Sequence, residues 1–417
     1  MASAVMLDLP GLQSLLDELR DRGHRVLGPT VREGAIVLSE ISGIADLPSG
    51  IGDVQDAGHY RTRERGDPAV FGFAATAQSA KSVLFPADEL LWRGRRTAQG
   101  IEVESAERDQ RPLALIGVRG CDLAAIGIQD TVLAGRAFAD PRYAARRSAA
   151  FVVAVTCADP AASCFCASMG TGPKPGAGAD LTLTELLDDA GHRFHVEVGS
   201  PAGEEVLAHV PSTPATAGDR VAADEVVAGA VAQMHRSLAT EDLHELLYAN
   251  ADSPVWNDVG QRCLACTNCT LVCPTCFCTS VEDVSDLSGD IDERHRVWDS
   301  CFSQEYSRLH GGSVRTSTSS RYRQWLTHKL AAWTDQFGTS GCVGCGRCIT
   351  WCPAAIDLTE EVLALRARDV RHTPIPARHG RSVAGAAAGS AGGTVPRTPL
   401  GTTDPTVREE DQDAHPG

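Results

Sequence analysis

The sequence predicts an α+β protein, in which an N-terminal α/β domain with a partly parallel sheet precedes a helical domain rich in cysteine. Three observations support this class. A strand, helix and strand follow one another over residues 112–157, helical spacing recurs at 222–249 and 319–334, and a twelve-residue cysteine motif occurs at 263–274 and again at 342–353. A strand, helix and strand in succession favour a right-handed βαβ unit and hence a parallel sheet.

Apolar periodicity locates the elements of the N-terminal half. Residues 10–22 place leucines on one helical stripe, and residues 35–41 have the composition of a strand. The best defined unit is a strand over 112–118, a helix over 121–135 and a second strand over 150–157. These elements predict the centre of the sheet.

Four cysteines fall at the carboxyl edge of this predicted sheet. Cys121 begins the helix, Cys157 ends the second strand, and Cys164 and Cys166 follow in a loop rich in Gly and Pro. Because open α/β folds bind ligands at this edge, we expect the four thiols to converge there.

The length of 417 residues exceeds what one hydrophobic core usually organises. We expect an N-terminal α/β domain over residues 1–220 and a helical, cysteine-rich domain over 221–376. Residues 377–417 mix Gly, Ala, Pro and charged residues, which cannot bury enough apolar surface to offset their ordering entropy, so a disordered tail is expected.

Charge and composition exclude several classes of partner. The formal net charge of -16 disfavours nucleic acid and anionic membranes, which attract Lys and Arg in excess. No export signal and no apolar stretch of about 18 residues is visible, so we expect a cytoplasmic protein without a membrane span.

In a reducing compartment, 15 cysteines favour metal or redox chemistry over disulfides. The 38 basic residues include only three lysines, Lys81, Lys174 and Lys329, a bias typical of codon usage.

The two cysteine motifs have identical intervals and both end in proline. Cys263, Cys266, Cys269 and Cys273 correspond to Cys342, Cys345, Cys348 and Cys352. Three thiolates so spaced let one tight loop bind three irons of a 4Fe-4S cluster, and Gly344 and Gly346 ease the close approach of the backbone. Zinc sites usually pair two short cysteine knuckles that lie a dozen or more residues apart. Two 4Fe-4S clusters are therefore predicted.

The fourth cysteine of each motif is predicted to bind the other motif's cluster, as in bacterial two-cluster proteins. The first cluster is assigned to Cys263, Cys266, Cys269 and Cys352. The second is assigned to Cys342, Cys345, Cys348 and Cys273.

A third 4Fe-4S cluster is a candidate at the sheet edge. Its ligands would be Cys121, Cys157, Cys164 and Cys166, the number that such a cluster requires. The alternative is that Cys121 and Cys157 are buried small hydrophobic residues. Asp122 either replaces a thiolate or is favoured by the dipole at the helix N-terminus. The remaining thiols, Cys276, Cys278 and Cys301, are expected to support the clusters or the fold, with a redox-active thiol at Cys301 as the alternative.

Several blocks together resemble a known family. They are GVRGCDLAAI, CFCASMGTGP leading to DLTLTEL, RCLACTNCTLVCPTCFC, VWDSCFS, HGGSVRTSTSSRYRQWLTHKL and GCVGCGRCITWCP. Over residues 80–372, the chain resembles the iron-sulfur beta subunit of cytoplasmic NiFe hydrogenases, also called the sulfhydrogenase beta subunit. It is also similar to the A subunit of anaerobic sulfite reductase.

The resemblance implies an electron-transfer subunit that is an oxidoreductase component and is not catalytic alone. Its expected partners are an NAD(P)H-binding flavoprotein subunit and the small and large subunits of a NiFe hydrogenase. The absence of a G-x-G-x-x-G fingerprint after a strand agrees with nucleotide binding on a partner. No catalytic residue is assigned to this chain.

Three alternatives remain. The chain could serve an anaerobic sulfite reductase in the same electron-transfer role. It could reduce sulfur or polysulfide directly at thiols outside the two motifs, namely Cys164, Cys166, Cys276, Cys278 or Cys301. A zinc-stabilised scaffold for protein interactions is the third reading.

Overall fold

A computed structural model describes residues 4–105, 111–135 and 137–372. The strands are β1 (Val5–Asp8), β2 (Arg25–Arg32), β3 (Ala35–Glu40), β4 (Ile51–Asp56), β5 (His59–Glu64), β6 (Asp88–Thr97), β7 (Gly100–Ser105), β8 (Leu113–Val118), β9 (Phe151–Val155), β10 (Leu181–Asp188), β11 (Gly191–Val198), β12 (Thr213–Pro214), β13 (Thr279–Ser285), β14 (Ile291–Trp298), β15 (Arg308–Leu309) and β16 (Gly312–Ser313). The α-helices are α1 (Leu9–Asp21), α2 (Lys81–Leu84), α3 (Gly120–Gln129), α4 (Pro141–Ser148), α5 (Pro201–Leu207), α6 (Ala217–Gln233), α7 (Leu243–Ala249), α8 (Val255–Arg262), α9 (Asn268–Leu271), α10 (Thr318–Thr327), α11 (Trp333–Phe337), α12 (Arg347–Thr350) and α13 (Leu358–Ala367). Two 3-10 turns (Ile44–Asp46 and Val370–His372) and two π turns (Asp130–Ala134 and His328–Ala332) complete the elements.

The main sheet has eight strands in the order β12-β1-β11-β10-β9-β8-β2-β3. Its central strands β10, β9, β8 and β2 are parallel, and the outer strands pair in antiparallel fashion. The predicted α+β class, with a partly parallel sheet in the N-terminal part, is therefore confirmed. The predicted strand, helix and strand are present as β8, α3 and β9. Cys121 and Cys157 therefore follow the carboxyl ends of two neighbouring parallel strands, as predicted.

Helix α1 shows how the sequence builds this half of the protein. The Asp8 carboxylate accepts a hydrogen bond from the Gly11 N–H at 2.8 Å and caps the helix, while Pro10 occupies the first turn. The helix then buries four leucines completely, Leu12, Leu15, Leu16 and Leu19. Each buried leucine contributes roughly 2 kcal/mol. The strand predicted over 35–41 is present as β3, which ends at Glu40.

A second core is formed by helices of the C-terminal half. It contains Trp256, Phe302, Trp325 and Ile349, and several cysteines of the two motifs pack against it. These cysteines therefore have apolar side chains on one side.

The helix predicted over 222–249 is divided into α6 and α7. The intervening segment is extended at Met234, buries Leu238, and directs Arg236 to Asp357 at 2.5 Å and to Asp56 at 2.8 Å. A continuous helix was therefore a wrong prediction, because these tertiary contacts override local helix propensity. The helix predicted over 319–334 is present as α10 and α11, but a π turn over 328–332 interrupts it.

A second sheet, in the order β13-β14-β6-β7, combines strands from both halves of the chain. Strand β14 pairs with β6, so backbone hydrogen bonds join residues from both sides of the expected domain boundary at 220/221. The division into two domains stays a prediction. The described residues belong to one compact unit. The tail predicted over 377–417 lies outside the described residues. Among the helices that are described, none combines the length and the apolar character needed to cross a membrane.

Candidate iron-sulfur sites

The loops of the two cysteine motifs repeat the same backbone conformation. Ala265 and Thr267 have φ of 51° and 70°, and the matching Gly344 and Gly346 have φ of 64° and 75°. Left-handed backbone is unfavourable for Ala and Thr, so the first motif adopts it at a cost that the second motif avoids with glycine. The equal geometry identifies the two loops as structural repeats.

In each loop a backbone N–H points at the first thiol. The Ala265 N–H lies 3.4 Å from Cys263 Sγ, and the Gly344 N–H lies 3.4 Å from Cys342 Sγ. Such donors stabilise negative charge on sulfur. A short helix then follows each loop, α9 in the first motif and α12 in the second.

The first set of thiols gathers around one cavity. Its cysteines are Cys263, Cys266, Cys269 and Cys352. Three come from the first motif and one from the second, and the walls of the cavity include Phe302, Tyr322 and Trp325. Cys266 is exposed, so this set reaches the protein surface. Cys348 also lines the cavity and belongs to the neighbouring set.

The second set lies deeper. It consists of Cys342, Cys345, Cys348 and Cys273. Cys273 is close enough to the other three that its thiolate raises their pKa values. Burial raises the pKa of Cys348 well above its usual value, and the Cys342, Cys345 and Cys273 thiolates raise it further. The structure thus places the fourth cysteine of the first motif among the first three of the second.

The third set lies at the carboxyl edge of the main sheet, where the sequence predicted that these thiols converge. Cys121, Cys157, Cys164 and Cys166 are all buried. Burial raises the pKa of Cys164, and the nearby Cys157 and Cys166 thiolates raise it further. For Cys121, burial and Asp122 raise the pKa, and Cys166 adds to the effect.

The third set is in contact with the second motif. Cys164 Sγ lies 3.8 Å from the Cys345 carbonyl oxygen, and the Phe165 N–H donates to the Gly344 carbonyl at 2.9 Å. A Cβ atom on Gly344 would lie 2.7 Å from Cys166 Cα. Glycine is therefore needed for the contact between these two loops as well as for the turn itself.

The donor sets fit iron-sulfur clusters by their chemistry. Soft thiolates are the ligands that such clusters use, and each set offers four of them. Desolvation raises the pKa of both Cys342 and Cys166 to about 12, so these thiols are neutral until iron displaces their protons. Within the described ranges, no three His, Cys, Asp or Glu groups are gathered closely enough for a single metal ion.

Two buried lysines accompany the cysteines. Lys329 belongs to the π turn over 328–332, and its ammonium group lies 3.2 Å from Cys273 Sγ. The Lys81 ammonium donates to the carbonyls of Leu271 at 3.1 Å and Cys276 at 3.3 Å. Neither was predicted as a site residue. The only feature of the sequence that marked these two residues was the rarity of lysine in an arginine-rich chain. Codon usage explains that rarity but not why lysine stands at these two positions.

A buried ion pair connects the third set to the second motif. Arg347 donates to the two oxygens of Asp122 at 2.7 and 2.9 Å, and Arg347 is almost fully buried. Asp122 follows Cys121, and Arg347 lies between Cys345 and Cys348. Asp122 is therefore the partner of an arginine in this structure, an arrangement that the sequence did not indicate.

The three remaining thiols form contacts of their own. Cys276 is hydrogen-bonded to Cys273, and that bond, together with Lys329, holds the pKa of Cys273 well below its usual range. Cys278 is hydrogen-bonded to Cys301. All three are partly exposed.

Thiol sets in repeated loops, packed against apolar side chains and close to buried cations, are typical of an iron-sulfur protein of the ferredoxin type. Residues 262–356 match the 4Fe-4S dicluster domain family. The chain is 34% identical over 259 residues to the sulfhydrogenase 2 subunit beta of Pyrococcus furiosus, and the alignment covers 61% of this chain and 74% of that protein. The chain belongs to the sulfhydrogenase beta subunit family. No solved structure matches it.

Membership in this family makes the chain an iron-sulfur electron-transfer subunit of a multisubunit protein. The predicted resemblance is thereby confirmed. The number of clusters and the ligand of each cluster stay predictions.

Proposed function

We propose that this subunit relays electrons between an NAD(P)H-linked flavoprotein subunit and the small and large subunits of a NiFe hydrogenase. The relative from Pyrococcus furiosus carries the name sulfhydrogenase, which favours a hydrogenase assembly over a sulfite reductase. Iron-sulfur clusters supply one-electron transfer, and the task of the chain is to hold them close together and to set their potentials.

The proposed ligands of the first cluster are Cys263, Cys266, Cys269 and Cys352, and those of the second are Cys342, Cys345, Cys348 and Cys273. The cavity shared by the first four cysteines supports the exchange of the fourth ligand, because Cys352 comes from the other motif. Cys273 supports the same exchange for the second cluster. Its thiolate raises the pKa values of Cys342, Cys345 and Cys348, so it lies close to the first three cysteines of the second motif.

A third cluster is proposed at Cys121, Cys157, Cys164 and Cys166. The burial of all four thiols and their mutual electrostatic effect support it. The alternative of inert, hydrophobic cysteines is less favoured, because Cys164 and Cys166 stand one residue apart in a loop rich in Gly and both are electrostatically coupled to Cys157.

The observation that carries the proposal is the serial order of the three sets. Cys164 of the third set approaches the backbone of Cys345 in the second, and Cys348 of the second lines the cavity of the first. The first set then reaches the surface at Cys266. Such an order forms a path from the sheet edge to the exterior, which suits conduction between two partner proteins.

The test uses the assembled holocomplex with Cys348→Ser, because Cys348 stands at the junction of the first and second sets. NAD(P)H-coupled hydrogen turnover is expected to be lost, while hydrogen oxidation with an artificial dye at the hydrogenase subunits persists. Cys278→Ser is the matched control, since Cys278 belongs to none of the three sets and is hydrogen-bonded to Cys301, and it should retain coupled turnover. Coupled turnover at the wild-type rate in Cys348→Ser would refute the relay.

A further inference from the structure

Cys278 and Cys301 lie near each other at the open end of a β-hairpin. Strand β13 begins at Thr279 and β14 ends at Trp298, and these two residues are paired in register. The Asp299 N–H donates to the Cys278 carbonyl at 2.9 Å and extends the pairing by one step. Cys278 therefore lies opposite Asp299, and Cys301 follows two residues later, where its thiol is hydrogen-bonded to that of Cys278.

We propose that Cys278 and Cys301 form a redox-active dithiol that exchanges with low-molecular-weight disulfides. Both side chains are only partly buried, so a small substrate can reach them. Both cysteines lie just outside the paired residues of the hairpin, so a disulfide between them breaks no pairing of β13 with β14. Neither thiol belongs to the three sets assigned to clusters.

The surroundings make Cys278 the attacking thiol. The hydrogen bond from Cys301 holds the pKa of Cys278 at about 6, against the effect of burial, and the Tyr306 hydroxyl assists. The Asp299 carboxylate opposes this shift. The hydrogen bond to Cys278 and burial raise the pKa of Cys301, and the Cys278 and Cys269 thiolates raise it further, with a smaller opposing effect of Lys329. A thiolate at neutral pH is the nucleophile that disulfide exchange requires.

The exchange balances without any other reactant. Cys278 Sγ attacks one sulfur of the substrate disulfide, a mixed disulfide forms, and the first thiol leaves with a proton. Cys301 then gives up its proton and attacks Cys278 Sγ, which releases the second thiol and leaves the Cys278–Cys301 disulfide. The substrate gains two electrons and two protons, and the two cysteines lose them. A dithiol reductant reverses the sequence.

The pair lies beside the first thiol set. Cys301 packs against the same core as Cys263 and Cys269, and Ser300 Oγ accepts a hydrogen bond from Thr270 Oγ1 at 2.7 Å. Oxidation of the pair removes a thiolate charge near that set. Only this coupling rests on the proposed function, because the exchange itself needs the two thiols alone.

The experiment treats anaerobic full-length holoprotein with oxidised glutathione, counts the glutathione released and maps disulfides by peptide mass spectrometry without reduction. The expected product is a Cys278–Cys301 disulfide, with two glutathione molecules released per chain. Cys301→Ser should stop at a mixed disulfide on Cys278 after releasing one, and Cys278→Ser should release none. The control Cys276→Ser should behave as wild type. The rate should rise with pH through about 6 and then level off.

Two results would overturn the proposal. One is release of glutathione by Cys278→Ser at the wild-type rate. The other is a loss of iron and acid-labile sulfide in both Cys278→Ser and Cys301→Ser, which would make these cysteines cluster ligands. Exchange in a preparation that never acquires iron would instead refute the proposed cluster function and leave the dithiol intact.

Discussion

The ammonium group of Lys329 lies 3.2 Å from the sulfur of Cys273, and the Gly341 carbonyl accepts a second hydrogen bond from it at 2.9 Å. Burial lowers the pKa of Lys329, but the Cys273 and Cys276 thiolates outweigh burial and hold it above the usual value. A permanent cation therefore stands beside a thiol that the second cluster is proposed to use.

Replacement of this cation should change a reduction potential. In Lys329→Met, the reduced and more negative form of the second cluster loses a favourable charge, so its midpoint potential should fall by on the order of 0.1 V. Redox titration followed by electron paramagnetic resonance measures the shift. Lys174→Met is the matched control, since Lys174 pairs with Glu197 at the surface, and it should leave the potential unchanged. Equal potentials in both variants would show that Lys329 serves packing alone.

The Arg347–Asp122 ion pair should stabilise the contact between the third set and the second motif. Arg347→Met leaves the Asp122 carboxylate buried without its partner, which should cost roughly 3–5 kcal/mol of unfolding free energy. The double variant Arg347→Met with Asp122→Asn should lose less than Arg347→Met alone, because no unpaired charge remains. Denaturant unfolding under anaerobic conditions measures both. A double variant less stable than the single one would contradict this account of the pair.

Cluster content should report on the third set independently of turnover. Cys164→Ser should reduce bound iron by about four per chain and leave the clusters of the two motifs in place. Cys278→Ser keeps the cysteine count equal to that of Cys164→Ser and should retain all iron, because Cys278 belongs to none of the three sets. If the iron content of Cys164→Ser equals that of wild type, Cys164 is not a ligand and the proposed third cluster loses its support.

The close approach at Gly344 should not tolerate a side chain. Gly344→Ala places a Cβ 2.7 Å from the backbone of Cys166 in addition to the strain of a positive φ. Gly338 has a similar φ of 71° but open space around it, so Gly338→Ala isolates the strain, about 1 kcal/mol. Gly344→Ala should therefore destabilise the protein more than Gly338→Ala and lower its iron content. Equal thermal stability of the two variants would show that the loops separate without cost.

Local patterns predicted much of the fold and the thiol sets. The stripe of leucines in α1 and the apolar strands β8 and β9 carry periodicities that their burial requires, so the sequence indicated them directly. The repeated cysteine intervals likewise indicated two loops of one kind. In both cases residues close in sequence determine the feature.

Features that depend on distant contacts were not predictable in this way. The break between α6 and α7 arises because Arg236 reaches Asp357, which lies far along the chain. The Arg347–Asp122 pair joins residues 225 positions apart. The π turn that directs Lys329 to Cys273 has no sequence signature of its own, and only the rarity of lysine marked the position.

The most direct test of the central claim is the metal and sulfide content of anaerobically purified full-length protein, together with its electron paramagnetic resonance spectrum after reduction. The account predicts iron and acid-labile sulfide in equal amounts, about eight of each per chain for two clusters or about twelve for three, with signals of reduced 4Fe-4S centres. Zinc without sulfide, and no such signal, would contradict it.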